Sequence, residues 1–204
     1  MFGIPPKGRE EAFDLLTSTD GFFTQYGLTT TEQTNKRFLY SAKHECLWNG
    51  YIWPFATSQT LTALKNIAHS SDDKKYKDMF CSLLSQYARM HKRTTEDGRT
   101  ISWIDEVMDP RNGDWSSRTI LRDSGWSLIK GGYERGKDYN HSTFCDLVIS
   151  GLLGVDVKEG EISVNPLVPE SWNYFSLTGL KILGKEYDII YSDKKLTVTQ
   201  KGSD

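Results

Sequence analysis

Asp105, Glu106 and Asp109 lie close together in the segment WIDEVMDPRNGDWSSR, residues 103–118, with Trp103 and Trp115 on either side. Glycoside hydrolysis requires two carboxyl groups, one acting as the acid and the other as base or nucleophile. A carboxylate between aromatic rings is well placed beside a sugar, whose apolar C–H face stacks on a ring. The alternative is that these acids only build a turn.

A second polar group stands where a helix is predicted to begin, in GKDYNHSTFCDL, residues 136–147. Tyr139, Asn140 and His141 would lie at the helix start, where side chains and unpaired backbone N–H groups can meet a polar ligand together. The alternative is an ordinary helix cap made by Asn140 or Ser142.

A third group is aromatic and occupies ECLWNGYIWPF, residues 45–55. Trp48 and Trp53, with the amide of Asn49 between them, could form a platform for a sugar ring. The alternative is that both rings pack in the interior between helix ends, a common use of large aromatic side chains.

Metal, nucleophile and cofactor patterns are weak. The histidines His44, His69, His91 and His141 are scattered, and none has a metal-ligand spacing with a cysteine. The sequence contains no G-x-S-x-G nucleophile motif and no glycine-rich phosphate loop. We therefore predict neither a metal nor a cofactor.

Composition narrows the possible partners. The formal net charge is −2 and basic residues alternate with acids, which argues against nucleic acid as a partner. No apolar run approaches the roughly 18 residues that a membrane span needs, and residues 1–13 lack the apolar region of a signal peptide. The six tryptophans cluster with Asn, Asp, Glu and Arg, which favours a carbohydrate ligand.

Helical patterns come first in the chain and strand patterns last. We predict helices over residues 9–17, from Pro54 onward, over 71–93 with Asp72 or Asp73 as cap, and over 140–154. Alternating or β-branched segments from about residue 160 to the end, separated by turns such as LGKE, residues 183–186, and SDKK, residues 192–195, predict a small antiparallel sheet. The fold class is therefore mainly α with a C-terminal β part, divided into residues 1–155 and 156–204. The long irregular stretch at 18–53 indicates functional loops or a missing partner, and residues 94–139 are predicted to be loop-like.

Four segments together resemble a known family. HECLWNGYIWPFATSQTLTAL, WIDEVMDPRNGDW, RGKDYNHSTFCDLVISGLLG and EISVNPLVPESWNYFSL occur in this order. They are similar to the C-terminal half of bacterial six-hairpin glycosidases, closest to mannosylglycerate-hydrolase-like and mannosyl-oligosaccharide-glucosidase-like enzymes, which are related to trehalases. The resemblance extends from about residue 5 to about residue 195 and implies part of an (α/α)6 toroid followed by a small β-domain.

The resemblance also implies residue roles. In these inverting enzymes one carboxylic acid protonates the leaving oxygen and a second carboxylate activates water, and the match places Glu106 as that base. Trp48, Trp53 and Trp103 would stack on or wall the sugar. The remaining implied pocket residues are Asn49, Asp105, Arg118, Lys137, Tyr139, Asn140 and His141.

The match departs from the family pattern at three positions. Tyr51 stands where the family's W-x-G-P-x-W loop has a small residue or proline. Val107 and Met108 replace the Asn-Tyr that usually follows the base in E-N-Y-[DN]-P-x-[TS]-G. These changes bear on the pocket's shape and on how the base is positioned.

The general acid of this family is an Asp that precedes the WNG loop, and nothing upstream of residue 45 resembles its segment. We therefore expect a C-terminal fragment or split subunit that carries the base but lacks the acid and is inactive alone. Its expected partners are an oligosaccharide with α-linked glucose, mannose or a similar sugar, and either the missing barrel half or a second copy. Family members imply a periplasmic or extracellular location.

Two other classes of function stay open. One is a sugar epimerase or isomerase on the same toroid, using histidine for proton transfer. The other is a non-catalytic carbohydrate-binding or scaffold protein.

Overall fold

The computed structural model describes residues 8–40 and 48–202. The chain divides into two compact units, 1–147 and 148–204. Helices dominate the first unit and antiparallel strands the second, which confirms the predicted fold class of a partial helical domain followed by a small β-domain. Within the described ranges, no helix is long and apolar enough to cross a bilayer.

Two long helices form the centre of the first unit: α1, Pro54–Ser70, and α2, Lys74–Met90. Proline suits the first position of α1 because its missing N–H has no partner in that turn. Asp73 caps α2 by accepting a hydrogen bond from the backbone N–H of Lys75 at 2.9 Å. The buried positions of α2 recur every three or four residues, so one face of the helix packs into the core. They are Tyr76, Met79, Phe80, Leu83, Leu84, Gln86, Tyr87 and Met90.

The segment at 94–139 has more regular structure than the sequence predicts. A short hairpin overlaps its start, with strands β1 at Lys92–Thr94 and β2 at Thr100–Ser102. The segment also contains a two-turn helix, α3, at Ser117–Asp123. The N-terminal helix is a 3-10 helix, Glu10–Leu16, with no side-chain cap. The sequence predicts this helix, at 9–17, whereas the hairpin and α3 carry too little periodicity to be recognised from sequence.

Helix α4, His141–Leu147, packs against both long helices. Its Phe144 ring meets Tyr87 of α2 edge-on, with ring centroids 5.4 Å apart. The residue before it, Asn140, donates from Nδ2 to Ser58 Oγ of α1 at 3.0 Å. These contacts fix the start of α4 relative to α1.

The second unit begins with a π-helical turn, Val148–Leu152, and continues as a two-stranded and a three-stranded sheet. Its strands are β3 Val155–Lys158, β4 Glu161–Val164, β5 Tyr174–Ile182, β6 Lys185–Ser192 and β7 Lys195–Lys201. All pairs are antiparallel. The core of this unit is built on Leu153, Val155, Val168, Phe175 and Ile189.

Each hairpin of the second unit closes through a two-residue turn. Both turn residues have positive φ, namely Glu159–Gly160, Leu183–Gly184 and Asp193–Lys194. This is the geometry of type I′ turns, whose twist matches that of paired strands. The turns predicted within LGKE and SDKK are therefore confirmed.

Candidate functional site

The acidic segment is tied by its backbone to the segment before α4. The N–H of Glu106 donates to the carbonyl of Gly136 at 2.8 Å, and the N–H of Asp138 donates to the carbonyl of Ile104 at 2.9 Å. Asp105 and Lys137 thus face each other across an antiparallel bridge. Two of the predicted motifs, distant in sequence, lie side by side.

The same segment also pairs with the tryptophan loop. Ile52 and Met108 exchange both backbone hydrogen bonds at 3.0 Å. Trp53 follows one end of this bridge directly, and Glu106 lies two residues from the other end. The backbone therefore brings all three candidate motifs together around residues 104–108.

Glu106 is the half-buried carboxylate of this site. Burial raises its pKa above the ordinary value, and the positive charge of Arg135 opposes that rise. No described residue forms a hydrogen bond or an ion pair with its carboxylate. A carboxylate held in this way is a stronger base than one in open water, and its oxygens are available to a ligand or a water molecule.

Asp105, the neighbouring acid, has a different environment. Its side chain is 1% exposed and pairs with Arg118, whose Nε lies 3.2 Å and Nη2 3.4 Å from the two carboxylate oxygens. The same guanidinium binds Glu134, and Lys137 Nζ lies 3.4 Å from Glu134 Oε2. The predicted ligand contacts Asp105, Arg118 and Lys137 thus belong, with Glu134, to one network of ion pairs beside Glu106. We call this network the charge chain.

Trp103 is covered by two cations. The guanidinium carbon of Arg118 lies 4.6 Å from its ring centroid, and that of Arg93 lies 5.0 Å away. The negative π face of an aromatic ring attracts cations in this position. The ring is half-buried, and its Nε1 is buried without a hydrogen-bond partner in the described structure.

The other tryptophans form a stacked pair. The rings of Trp48 and Trp53 are 4.1 Å apart and inclined by 22°. Phe55 meets Trp48 edge-on, and Tyr139 meets Trp53 edge-on, each at 6.3 Å. Trp53 is only 2% exposed, so it packs in the interior, whereas Trp48 is 46% exposed. Trp48 also borders a cleft of about 260 Å³ with Phe22, Leu28, Ala56 and Thr60 among its walls.

Two amides predicted to contact a ligand make bonds within the protein. Asn49 Nδ2 donates to the carbonyls of Tyr40 at 2.6 Å and Arg37 at 3.3 Å, which holds its own loop. Asn140 has a φ of 62°, and its Oδ1 accepts from Thr143 Oγ1 in the first turn of α4 at 3.0 Å. The side chain of the next residue, His141, lies outside the described part of the structure.

Asp109 closes the turn after the acidic segment. Its carboxylate pairs with Arg111 and accepts from that residue's backbone N–H at 2.9 Å, and the pairing lowers the pKa of Asp109. Asp109, the next acid after Glu106 in the sequence, therefore stabilises the turn.

Sequence reasoning missed two charged residues of the site. Glu134 completes the charge chain through Arg118, and Arg135 places its positive charge near Glu106. Both belong to the 3-10 helix Tyr133–Gly136. A short polar helix gives no signal in the sequence that it lies against the acidic segment.

A larger cavity, of about 740 Å³, lies elsewhere in the first unit, between the end of α2, β1 and the turn at 112–116. None of the predicted site residues lines it. We place the candidate catalytic site at Glu106 because chemistry, rather than size, distinguishes that region. In the described residues, no group of three or more His, Cys, Asp or Glu side chains could hold a metal ion.

Residues 1–142 match the family model of the mannosylglycerate hydrolase MGH1-like glycoside hydrolase domain. Since the match covers more than half of the chain, the chain belongs to this family. The resemblance stated from the sequence is thus confirmed.

One solved structure, described as a sialidase, is similar to the chain over both units. The TM-score is 0.74 and the sequence identity 30%, and the match covers 96% of this chain and 17% of the other. The chain thus spans about one sixth of the length of that protein. Among curated protein sequences, none matches this chain.

Proposed function

We propose that this chain carries the general base of an inverting glycoside hydrolase that acts on an α-linked glucoside, mannoside or similar oligosaccharide, and that Glu106 is the base. The observation that carries the proposal is the environment of Glu106: half-buried, unpaired among the described residues, and with a raised pKa. Membership of a glycoside hydrolase family supports it.

The neighbouring acids fit other roles. Asp105 and Glu134 pair with Arg118, and Asp109 pairs with Arg111. Pairing lowers the pKa of Asp109 and of Glu134, which makes these acids poor proton donors near neutral pH. In this proposal the general acid is therefore none of Asp105, Asp109 and Glu134.

Glu106 takes a proton from water, and the water oxygen forms a bond to the anomeric carbon. The bond from that carbon to the leaving oxygen breaks, and the second carboxyl group gives its proton to this oxygen. The two carboxyl groups of inverting enzymes stand roughly 6.5–9.5 Å apart to leave room for the water.

The aromatic residues have separate parts in this proposal. Trp48 offers the exposed ring on which a sugar stacks, and the buried Trp53 supports it from behind at 4.1 Å. Tyr139 and Trp103 wall the pocket. Asn49, Lys137, Asn140 and His141 remain predicted ligand contacts, of which Asn49 and Asn140 also hold their loops.

The charge chain is proposed to position the base. Arg118 holds the buried Asp105, and Asp105 is bonded along the backbone to Glu106. Because Arg118 compensates the charge of Asp105, residues 104–108 can pack in the interior while Glu106 stays half-buried. Arg118 thus acts through Asp105 rather than on the sugar.

The proposal is tested by Glu106→Gln in the enzyme that contains this chain, assayed on α-glucosides and α-mannosides. We expect turnover to fall by roughly 10²–10⁴-fold, the usual contribution of general acid–base catalysis, while calorimetric titration still detects sugar binding. Proton NMR of the first product formed by the wild type should show the inverted anomer.

Glu96→Gln is the matched control, because Glu96 is exposed and lies in the hairpin loop away from the acidic segment. This variant should keep wild-type turnover. If Glu106→Gln keeps more than about one tenth of wild-type turnover, a smaller loss than general-base catalysis supplies, Glu106 is not the base.

A further inference from the structure

The cavity of about 740 Å³ has none of the predicted site residues in its lining and is basic, so we call it the basic cavity. The lining residues that bear on its chemistry are Tyr26, Arg89, Lys92, Arg93, Asp114 and Trp115. Its volume lies within the roughly 300–1,000 Å³ of small-molecule sites.

The charges of the basic cavity are not balanced within the protein. Arg89, Lys92 and Arg93 line it, and no described carboxylate forms an ion pair with any of them. Asp114 is the one acid in the lining, and its carboxylate accepts a hydrogen bond from Asn112 Nδ2 at 2.8 Å. Three cations against one anion favour a negatively charged ligand.

The guanidinium groups are partly held in place. Arg89 Nη1 donates to Ser85 Oγ at 2.8 Å, one helical turn earlier in α2. Arg93 lies over the Trp103 ring at 5.0 Å. A planar guanidinium that is already oriented binds a carboxylate or a sulfate through two parallel N–H bonds at a smaller entropic cost.

Two aromatic rings of the basic cavity are also fixed. Trp115 Nε1 donates to the carbonyl of Lys92 at 3.0 Å. The Tyr26 ring lies against Gly113, where a Cβ atom would be 2.4 Å from the ring, and Gly113 has a φ of 77°. The turn at 112–114 therefore depends on glycine both for its backbone conformation and for its contact with Tyr26.

We propose that the basic cavity is a second saccharide-binding site, which takes an anionic saccharide bearing a carboxylate or a sulfate. The cations bind the acidic group, and the fixed rings of Tyr26 and Trp115 contact the apolar face of the sugar. The proposal does not depend on Glu106 being the base, because binding is measured without hydrolysis.

The test is calorimetric titration of the 204-residue chain with four probes: a cellobiose unit ending in glucuronate, cellobiose 6-sulfate, neutral cellobiose and inorganic sulfate. We expect at least one acidic disaccharide to bind about tenfold or more tightly than cellobiose and than sulfate alone, because hydrogen bonds to a charged group are stronger than those between neutral groups. Comparison of the two acidic probes distinguishes carboxylate from sulfate. Added salt should weaken the binding.

The double variant Arg89→Gln/Lys92→Gln should lose about tenfold or more in affinity for the acidic disaccharide. Arg122→Gln is the control, because Arg122 is exposed, pairs with Asp123 and does not line the cavity. Circular dichroism verifies that both variants are folded. The proposal is overturned if neutral cellobiose or sulfate alone binds as tightly as both acidic disaccharides, if neither acidic probe binds, or if the folded double variant binds as the wild type does.

Discussion

The buried ion pair between Asp105 and Arg118 leads to a strong prediction about stability. The Asp105 side chain is 1% exposed and the Arg118 side chain 22% exposed, so Arg118→Met would leave a buried carboxylate without its cation. Removing one partner of a buried pair costs about 3–5 kcal/mol. The lost pairing with Glu134, whose side chain is 45% exposed, adds little because solvent screens it.

This free energy can be read from thermal unfolding of the first unit. Five of the six tryptophans, Trp48, Trp53, Trp103, Trp115 and Trp126, lie in residues 1–147, so indole fluorescence follows that unit. A loss of 1 kcal/mol lowers the Tm of a chain of this size by roughly 2–4 °C. We therefore expect Arg118→Met to melt roughly 6–20 °C below the wild type.

Two further variants make the test specific. Arg122→Met breaks a pair whose side chains are 66% and 65% exposed, and should cost less than about 1 kcal/mol. Asp105→Asn/Arg118→Met leaves neither charge buried alone and should recover part of the loss. If Arg118→Met melts within about 2 °C of Arg122→Met, or if the double variant is no more stable than Arg118→Met, the buried pair does not contribute the predicted stability.

Three other predictions concern single side chains. Trp53→Ala should lower the free energy of unfolding by about 3–5 kcal/mol, because the Trp53 ring is 2% exposed. Trp48 is 46% exposed, so Trp48→Ala should mainly weaken sugar binding. Denaturation and sugar titration would contradict this if the two effects were reversed. Burial raises the pKa of Glu106 above 4.5, so the folded state loses stability as pH rises through the raised pKa. Glu106→Gln should therefore melt above the wild type near neutral pH, with the gain vanishing in acid below about pH 4, and equal Tm values across this range would refute it. Gly154 has a φ of 69°, and a Cβ there would lie 1.8 Å from the Asn165 carbonyl oxygen. Gly154→Ala should therefore lower the free energy of unfolding by more than the roughly 1–3 kcal/mol that backbone strain alone costs. An unchanged urea transition would contradict this prediction.

Local signals were sufficient for much of the fold. The repeat of apolar residues along α2, the Asp73 cap and the type I′ turn at Leu183–Gly184 all depend on residues a few positions apart. The short helix α3 and the hairpin of β1 and β2 were not predicted, because seven or fewer residues give little periodicity and tertiary contacts stabilise them.

The candidate motifs were found in sequence, but the partner of each side chain was not. Trp48 and Trp53 look alike in the sequence, yet one is exposed and the other buried. Asn140 fits both a ligand contact and a helix cap in the sequence, and the structure shows that its side chain bonds to Ser58 of α1 and to Thr143 of α4. Burial and partner choice follow from contacts across the chain, which a local pattern does not contain.

The sequence by itself determined the two long helices, the hairpin turns of the second unit and the grouping of carboxylates with aromatic residues, because these depend on neighbours along the chain. Only the tertiary structure decided which of two adjacent acids keeps a free carboxylate. Asp105 meets Arg118, thirteen residues further along the chain, while Glu106 faces no described cation closely enough to pair. The physical reason is that ion pairing and desolvation depend on distances in space, and these are set when the segment 104–108 pairs with Ile52 and with 136–138.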